Sequence, residues 1–266
     1  MSTTRNLVAL SAPEAAELVS PDSLVLLPVG AIEQHGPHLP LDTDALLAEA
    51  AAQALLDDPP PGVDLWTLPT LAYSTSSEHL FAAGTMSLSE ETFLAVLDDL
   101  GRSVAALPAR RLVILNGHGG NTALFRVACR RLRLQYGLLT FLVHPVLSAD
   151  HGGPKGEDGE DGLGCHANCG ETSLLLHLHP DRVHLERAVS NVPRWLADYD
   201  HVGLGGDVTF GWSAGDFGDS GVIGDPTRAT PERGAELWAA ILVELRAALV
   251  EVARFDFPAS VLSGRR

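Results

Sequence analysis

The stretch Pro28-Val-Gly-Ala-Ile-Glu33-Gln-His35-Gly-Pro-His38-Leu-Pro-Leu-Asp42-Thr-Asp44 decides how this chain reads. It continues an apolar run, Leu24-Val-Leu-Leu-Pro-Val29, that has the character of a buried strand and ends abruptly at Gly30. Glu33, His35, His38, Asp42 and Asp44 then follow within about a dozen residues, a density of metal-ligand types that a merely solvated polar loop does not require. Carboxylate mixed with imidazole suits zinc, manganese or iron, whereas calcium and magnesium ask for oxygen alone. In extended backbone, residues two apart point to one side, so Glu33 and His35 can face a single cavity.

Working outward, residues 46–56 are rich in alanine and leucine and predict a helix, with Asp42 or Thr43 as N-cap. A short strand is expected over 63–68, followed by a loop through Glu78 and His79. Ser87 and Glu90 form a capping-box pattern for a helix reaching about residue 107. Arg111–Asn116 is a second apolar strand running into Gly117-His118-Gly-Gly-Asn121, and a helix over 122–136 leads to a third strand over 138–143. Strand, helix, strand, helix, strand predicts a mainly parallel sheet covered on both faces, an α/β/α sandwich in one domain spanning 1–266. Such sheets bind ligands beyond the carboxyl ends of their strands, which brings His118 toward Glu33 and His35.

The segment 145–164, glycine-rich, acidic and carrying the single lysine, Lys155, reads as a mobile loop. It ends in Cys165-His166-Ala-Asn-Cys169-Gly-Glu171-Thr-Ser173, with helix continuing over 174–179 and stopping before Pro180. Residues 189–224 form a long irregular segment with Trp195, Trp212 and many glycines, a length that suits lids or subunit contacts. Pro231 at a first helical position opens the last helix, which extends to about residue 252.

The 266 residues are 45% hydrophobic and 20% charged, with a net charge of −16. So acidic a chain is a poor partner for nucleic acid or anionic lipid. The N-terminal residues lack a signal-peptide pattern and no apolar run reaches membrane-spanning length, so a soluble cytoplasmic protein is expected. Three cysteines, Cys129, Cys165 and Cys169, fit reduced thiols better than a disulfide framework. Cys165-His166-x-x-Cys169 offers soft zinc ligands, though no fourth is evident, and Cys129 reads as core.

Together Glu33, His35, Asp44 and His118 supply enough donors for two divalent ions if one carboxylate bridges, with Glu171 as a fifth ligand. Gly119 and Gly120 would let backbone approach the site closely. His38 reads as a support behind the ligands, His79 as a structural loop residue or one that meets substrate or moves a proton, and Trp212 and Phe217 as pocket wall or subunit contact. His144, His151, His177, His179, His184 and His201 read as ordinary histidines.

Four motifs in order, Gly30 through Asp44, Asn116-Gly-His-Gly-Gly-Asn121, His166-Ala-x-x-x-Glu171-Thr-Ser173 and Gly221-Val-Ile-Gly-Asp-Pro226, resemble the creatininase family of amidohydrolases over nearly the whole chain. The resemblance implies a three-layer fold, a centre of two divalent ions (zinc, manganese or iron) and hydrolysis of carbon–nitrogen bonds in a small-molecule amide, cyclic amide or ureide. It places Glu33, His35, Asp44 and His118 on metal ligands, Asp44 as the bridge, and His166 on the acid/base histidine, and it implies a homo-oligomer, often a hexamer. Creatininase proper carries a glutamate ligand where this chain has Gly120, which makes Glu171 the replacement, as ligand or base. Further departures, at Cys165, at Asn168 and at Ala82-Ala83 where relatives follow Glu78-His79-x-x with Phe-Pro, fall with Glu78, His79 and Trp212 in loops expected to face substrate, so creatinine itself is not the expected substrate. An alternative is a peptidase trimming a modified peptide precursor in cofactor maturation. A protein that binds metal or ligand without turnover is the reading from another class.

Overall fold

The computed structural model describes residues 5–145, 159–204 and 207–258. The expected mobile loop therefore lies largely outside the described residues, with Lys155 and His151.

Among the described residues four strands, β1 (Leu24–Val29), β2 (Leu65–Thr67), β3 (Arg111–Asn116) and β4 (Leu139–Val143), make one parallel sheet in the order β2-β1-β3-β4. Every residue of β1, β2 and β3 is buried, as a sheet covered on both faces requires. Alternate side chains serve two cores. Leu24, Leu26, Val113 and Leu115 meet α2 (Thr43–Asp57), α5 (Cys169–Leu178) and α6 (Pro231–Arg254) through Leu47, Leu55, Leu174, Leu245 and Leu249. On the other face Val25, Leu27, Val29, Leu112 and Ile114 meet α3 (Glu90–Ala105) and α4 (Thr122–Tyr136) through Phe93, Leu97, Phe125 and Leu132. A shorter helix, α1 (Ala12–Leu18), precedes the sheet. This is the three-layer α/β/α sandwich expected from the strand–helix alternation. Among the described residues no helix is long and apolar enough to cross a membrane.

The strand order places a topological switch between β1 and β3: β1 is followed by α2 on one face and β3 by α4 on the other, leaving a crevice at their carboxyl ends. Val29 is level with Asn116, so the chain leaves both strands side by side. The first turn of α2 lies directly on these exits. A β-carbon at Gly30 would stand 2.3 Å from Ala45 N, and one at Gly117 would stand 2.5 Å from Asp44 O. Only glycine allows backbone to approach backbone this closely.

Two helix starts, those of α3 and α5, correct the expectation, while Asp42 takes its expected N-cap position on α2. Ser89, not Ser87, caps α3, accepting the Thr92 N–H, while Ser87 Oγ accepts the N–H of Ser76 and pins the preceding loop. Asp42 occupies the N-cap position of α2 without bonding its backbone, because both carboxylate oxygens are taken by Arg182 at 2.9 and 3.0 Å. Helix α5 begins at Cys169 rather than after Ser173, because the Asn168 side chain accepts the Glu171 N–H at 2.9 Å and starts the helix there.

Replacing Gly30 with alanine should push the first turn of α2 off the sheet, costing about 1–3 kcal/mol as overpacking does. Urea unfolding measures this, and an unchanged midpoint would contradict the close-approach account.

Candidate metal centre

Each element that reaches the crevice delivers one part of a buried cluster. Glu33 and His35 follow β1, Asp44 lies in the first turn of α2, His118 follows β3, and Glu171 lies in the first turn of α5. Glu33 and His35 are fully buried, and Asp44, His118 and Glu171 are nearly so. His118 Nδ1 lies 3.3 Å from Glu33 Oε2 and 3.2 Å from Asp44 Oδ2, and His35 Nε2 lies 3.2 Å from Asp44 Oδ1. Among the described residues three sets have ligand atoms mutually within 4.8 Å: Glu33–Asp44–His118, His35–Asp44–Glu171 and Glu33–His35–His166. The first two use the five ligands named from the sequence and share Asp44. Neither cysteine of Cys165-His166-x-x-Cys169 belongs to a set among the described residues.

The chemistry of the donors fits divalent cations. Both oxygens of Glu33, Asp44 Oδ2 and Glu171 Oε2 are buried without a hydrogen-bond partner. Carboxylates so placed need positive charge nearby, and oxygen with imidazole nitrogen is the donor set of zinc, manganese or iron sites.

The protein's own charges show the same tension. Burial pushes the Glu33 carboxyl up to about 8 and that of Glu171 up to about 7. Burial also opposes ionisation of Asp44, but His35 and His118 hold it below the usual carboxylate range. Against the same burial, Asp44 lifts His35 to about 10, and Glu33 with Asp44 and Glu78 lifts His118 well above the imidazole range. Burial drives three other histidines down, His79 to about 3, His38 to about 4 and His166 well below its ordinary value.

The other residues singled out divide sharply. His166 is buried and faces the cluster, Nδ1 lying 3.6 Å from Glu33 Oε1. His79 Nε2 lies 3.3 Å from the same oxygen. Glu78 Oε1 lies 3.4 Å from His118 Nε2, on the ring edge away from the carboxylates. A β-carbon at Gly120 would fall 2.1 Å from that Glu78 oxygen, so Glu78 occupies the room that a side chain at 120 would need. Asn168 is fully buried and absent from the cavity wall, committed instead to capping α5. His38 stands behind the ligands, with Nε2 2.9 Å from Thr172 Oγ1.

A cavity of about 420 Å³ opens over the cluster, walled by Glu78, His79, Gly119, Gly120, Arg126, His144, Cys165, Leu204 and Trp212 among others. His144, read as ordinary from the sequence, is therefore part of this wall, as is Arg126, because α4 and the end of β4 turn toward the crevice. Glu78, Gly120 and Trp212 are shared with an outer groove of about 590 Å³ that continues past Ser77, Gly211 and Ser213. Phe217 packs edge-on against Trp212 and stacks with Trp195.

The loops are tied together beneath the cluster. Asn121 Oδ1 accepts from Thr75 Oγ1 at 2.8 Å, its Nδ2 donates to Ser74 Oγ at 3.0 Å, and Ser74 donates to Gly30 C=O at 2.7 Å. Buried Glu160 accepts the N–H groups of Cys169 and Asp225 and so joins α5 to the Gly221–Pro226 motif. These supports, like the Gln34 contacts described below, escaped the sequence reading, because a carboxamide or carboxylate aimed at backbone leaves no spacing signature.

The family model described as creatinine amidohydrolase matches residues 9–249. This chain belongs to the creatininase family. Over 248 residues it is 35% identical to the mycofactocin precursor peptide peptidase of Mycobacterium tuberculosis, covering 88% of this chain and 87% of that protein. It is 32% identical over 203 residues to the creatinine amidohydrolase of Pseudomonas putida, covering 70% of this chain and 75% of the relative. A crystal structure of creatinine amidohydrolase (creatininase) matches with a TM-score of 0.74 at 27% identity, over 94% of this chain and 98% of that one. Similar creatininase structures include a manganese form and a zinc–zinc form of a variant.

Cation binding to the metal-free creatininase-family chain should release protons. At about pH 7 His35, lifted to about 10, and Glu33, lifted to about 8, both hold protons that must leave before their lone pairs can coordinate. Affinity should therefore rise with pH, and zinc calorimetry in two buffers of different ionisation enthalpy measures the release. An observed enthalpy that does not depend on the buffer would refute it. Replacing Gly120 with alanine should displace Glu78 from His118 and weaken zinc binding about 10- to 100-fold, as loss of a residue supporting a ligand does; unchanged affinity would show that Glu78 plays no such part.

Proposed function

We propose that this chain is a divalent-metal-dependent hydrolase that cuts a carbon–nitrogen bond in a peptide precursor. The observation carrying this reading is an outer groove that adjoins the cluster's cavity, the two sharing Glu78, Gly120 and Trp212 as walls. A peptide needs room beyond the bond it loses, whereas a small cyclic amide needs a closed pocket. Similarity to the mycobacterial precursor-peptide peptidase over most of both chains supports it further. Glu33, His35, Asp44, His118 and Glu171 would hold two divalent ions, with Asp44 as the ligand common to both, and bound ions would supply an acidified water and a polarised carbonyl near neutral pH.

The chain's own groups then have distinct tasks. His166 is held by its Nε2–H, which donates to Gln34 C=O at 2.6 Å, so Nδ1 faces the cluster able to take a proton and return it to the leaving nitrogen. Trp212, His79, Arg126 and His144 shape the wall that a substrate touches, and Asn168 contributes by starting the helix that carries Glu171. Assembly into a homo-oligomer and a cytoplasmic location belong to the same proposal.

A second reading, hydrolysis of a small amide or cyclic amide, is favoured by similarity to the creatinine amidohydrolase of Pseudomonas putida and by the modest inner cavity. Zinc- or manganese-loaded protein assayed by mass spectrometry against peptides of increasing length, cyclic amides and ureides separates the two. We expect kcat/KM to rise with peptide length; turnover of cyclic amides alone would establish the second reading. Tight binding without turnover across the whole panel would point to a non-catalytic role. Asp44→Asn should lose both ions together by elemental analysis, and retention of two ions with full activity would remove Asp44 as the bridge.

A further inference from the structure

Gln34 stands between two candidate ligands and is itself buried, at 6% exposure. Its amide is oriented by the backbone. The Gly36 N–H donates to Oε1 at 2.9 Å, and Nε2 donates to Gly221 C=O at 3.1 Å. A backbone N–H only donates and a carbonyl only accepts, so these two contacts decide which end of the amide is oxygen. The second hydrogen on Nε2 then points to His79 Nδ1, 2.8 Å away. That nitrogen must be the unprotonated one, and the proton of neutral His79 lies on Nε2, beside Glu33 Oε1 at 3.3 Å.

The main chain of the same residue treats His166 in the opposite sense. Its carbonyl accepts Nε2–H, leaving Nδ1 without a proton on the side of Glu33. The 3.1 Å approach of Gln34 Nε2 to His166 Nε2 is then a contact between two donors whose hydrogens point elsewhere. One donor and one acceptor are thus set beside a single carboxylate oxygen.

We propose that Gln34 is a positioning residue: its side-chain amide holds His79 as the Nε2–H tautomer, so that the ring turns an N–H rather than a lone pair toward Glu33 Oε1, 3.3 Å away, and biases the direction in which that carboxylate faces a cation. The inference rests on reading Glu33 as a metal ligand of a hydrolase. It also gives the Gly221–Pro226 motif a task. Gly221 adopts a φ of +71°, and a β-carbon there would fall 2.1 Å from Gln34 Oε1, so glycine leaves the amide room to bond that residue's own carbonyl.

The test uses the zinc-loaded full chain labelled with ¹⁵N-histidine, His79 being assigned from the signals lost in His79→Phe. The wild-type spectrum should show neutral His79 with its proton on Nε2. Gln34→Glu replaces the donor by an acceptor of the same shape, so His79 should move its proton to Nδ1, and zinc affinity or kcat should fall about 10- to 100-fold with KM little changed. Gly221→Ala, which crowds the same amide, should shift both readouts in the same direction. A wild-type spectrum with the proton on Nδ1 overturns the proposal even if neither variant folds. So does a Gln34→Glu protein that keeps the Nε2–H tautomer and full zinc affinity. Tautomer and zinc titration require no substrate, so a failed peptide screen would remove the peptidase reading while leaving this result to stand or fall alone.

Discussion

The burial of three carboxylates in one place is the constraint on which the rest of this structure depends. Glu33, Asp44 and Glu171 are 0%, 2% and 4% exposed, and their unpartnered oxygens are directed at one another's surroundings rather than at water. Removing such groups from solvent is costly unless positive charge is supplied, and imidazoles supply only part of it. The same surroundings raise the pKa of Glu33, His35 and His118, and protons held there are what a cation would replace.

Holding these groups together is the task of the scaffold. The level ends of β1 and β3 create the crevice, and Gly30 and Gly117 let the first turn of α2 settle on both strand exits. A carboxylate in the first turn of a helix is favoured by the unsatisfied N–H groups there, and both Asp44 and Glu171 occupy such positions, on α2 and α5. Asn168 and Glu160 secure the start of α5, while Ser74, Thr75 and Asn121 lock the loops following β2 and β3 to the exit of β1. Ala167, fully buried with a φ of 50°, lies between the inward-facing His166 and the capping Asn168. A strained residue persists where its surroundings over-determine it.

The buried cluster and the wall around it are drawn from different parts of the molecule. The cluster is built from strand ends and helix starts, whereas the wall around it draws on Glu78, Arg126, His144 and Trp212 from separate loops and helices. Gly120 and Glu78 illustrate how such a wall changes: losing a side chain at one position admits a carboxylate from another, against the same imidazole. Creatininase-family proteins named for a peptide precursor and for creatinine both resemble this chain.

The sequence by itself determined the layered fold and brought forward the residues that gather in the buried cluster. Apolar runs such as Leu24–Val29 and Arg111–Asn116 are legible because a strand covered on both faces must be continuously hydrophobic, and Glu33, His35, Asp44 and His118 are legible because ligand types crowd at glycine-marked strand exits. Local caps were less legible: Ser87, Asp42 and Asn168 each have a side chain able to cap a helix or bind something else, and long-range partners such as Arg182 or the loop at Ser76 choose between the two. Only the tertiary structure decided that Asn168 turns away from the cavity, that Arg126 and His144 turn toward it, that Glu78 fills the space beside Gly120, and that Gln34 joins His79 to Gly221. Those facts depend on residues dozens to nearly two hundred positions apart meeting in space, and nothing in one-dimensional spacing encodes the direction in which a buried polar side chain finds its partner.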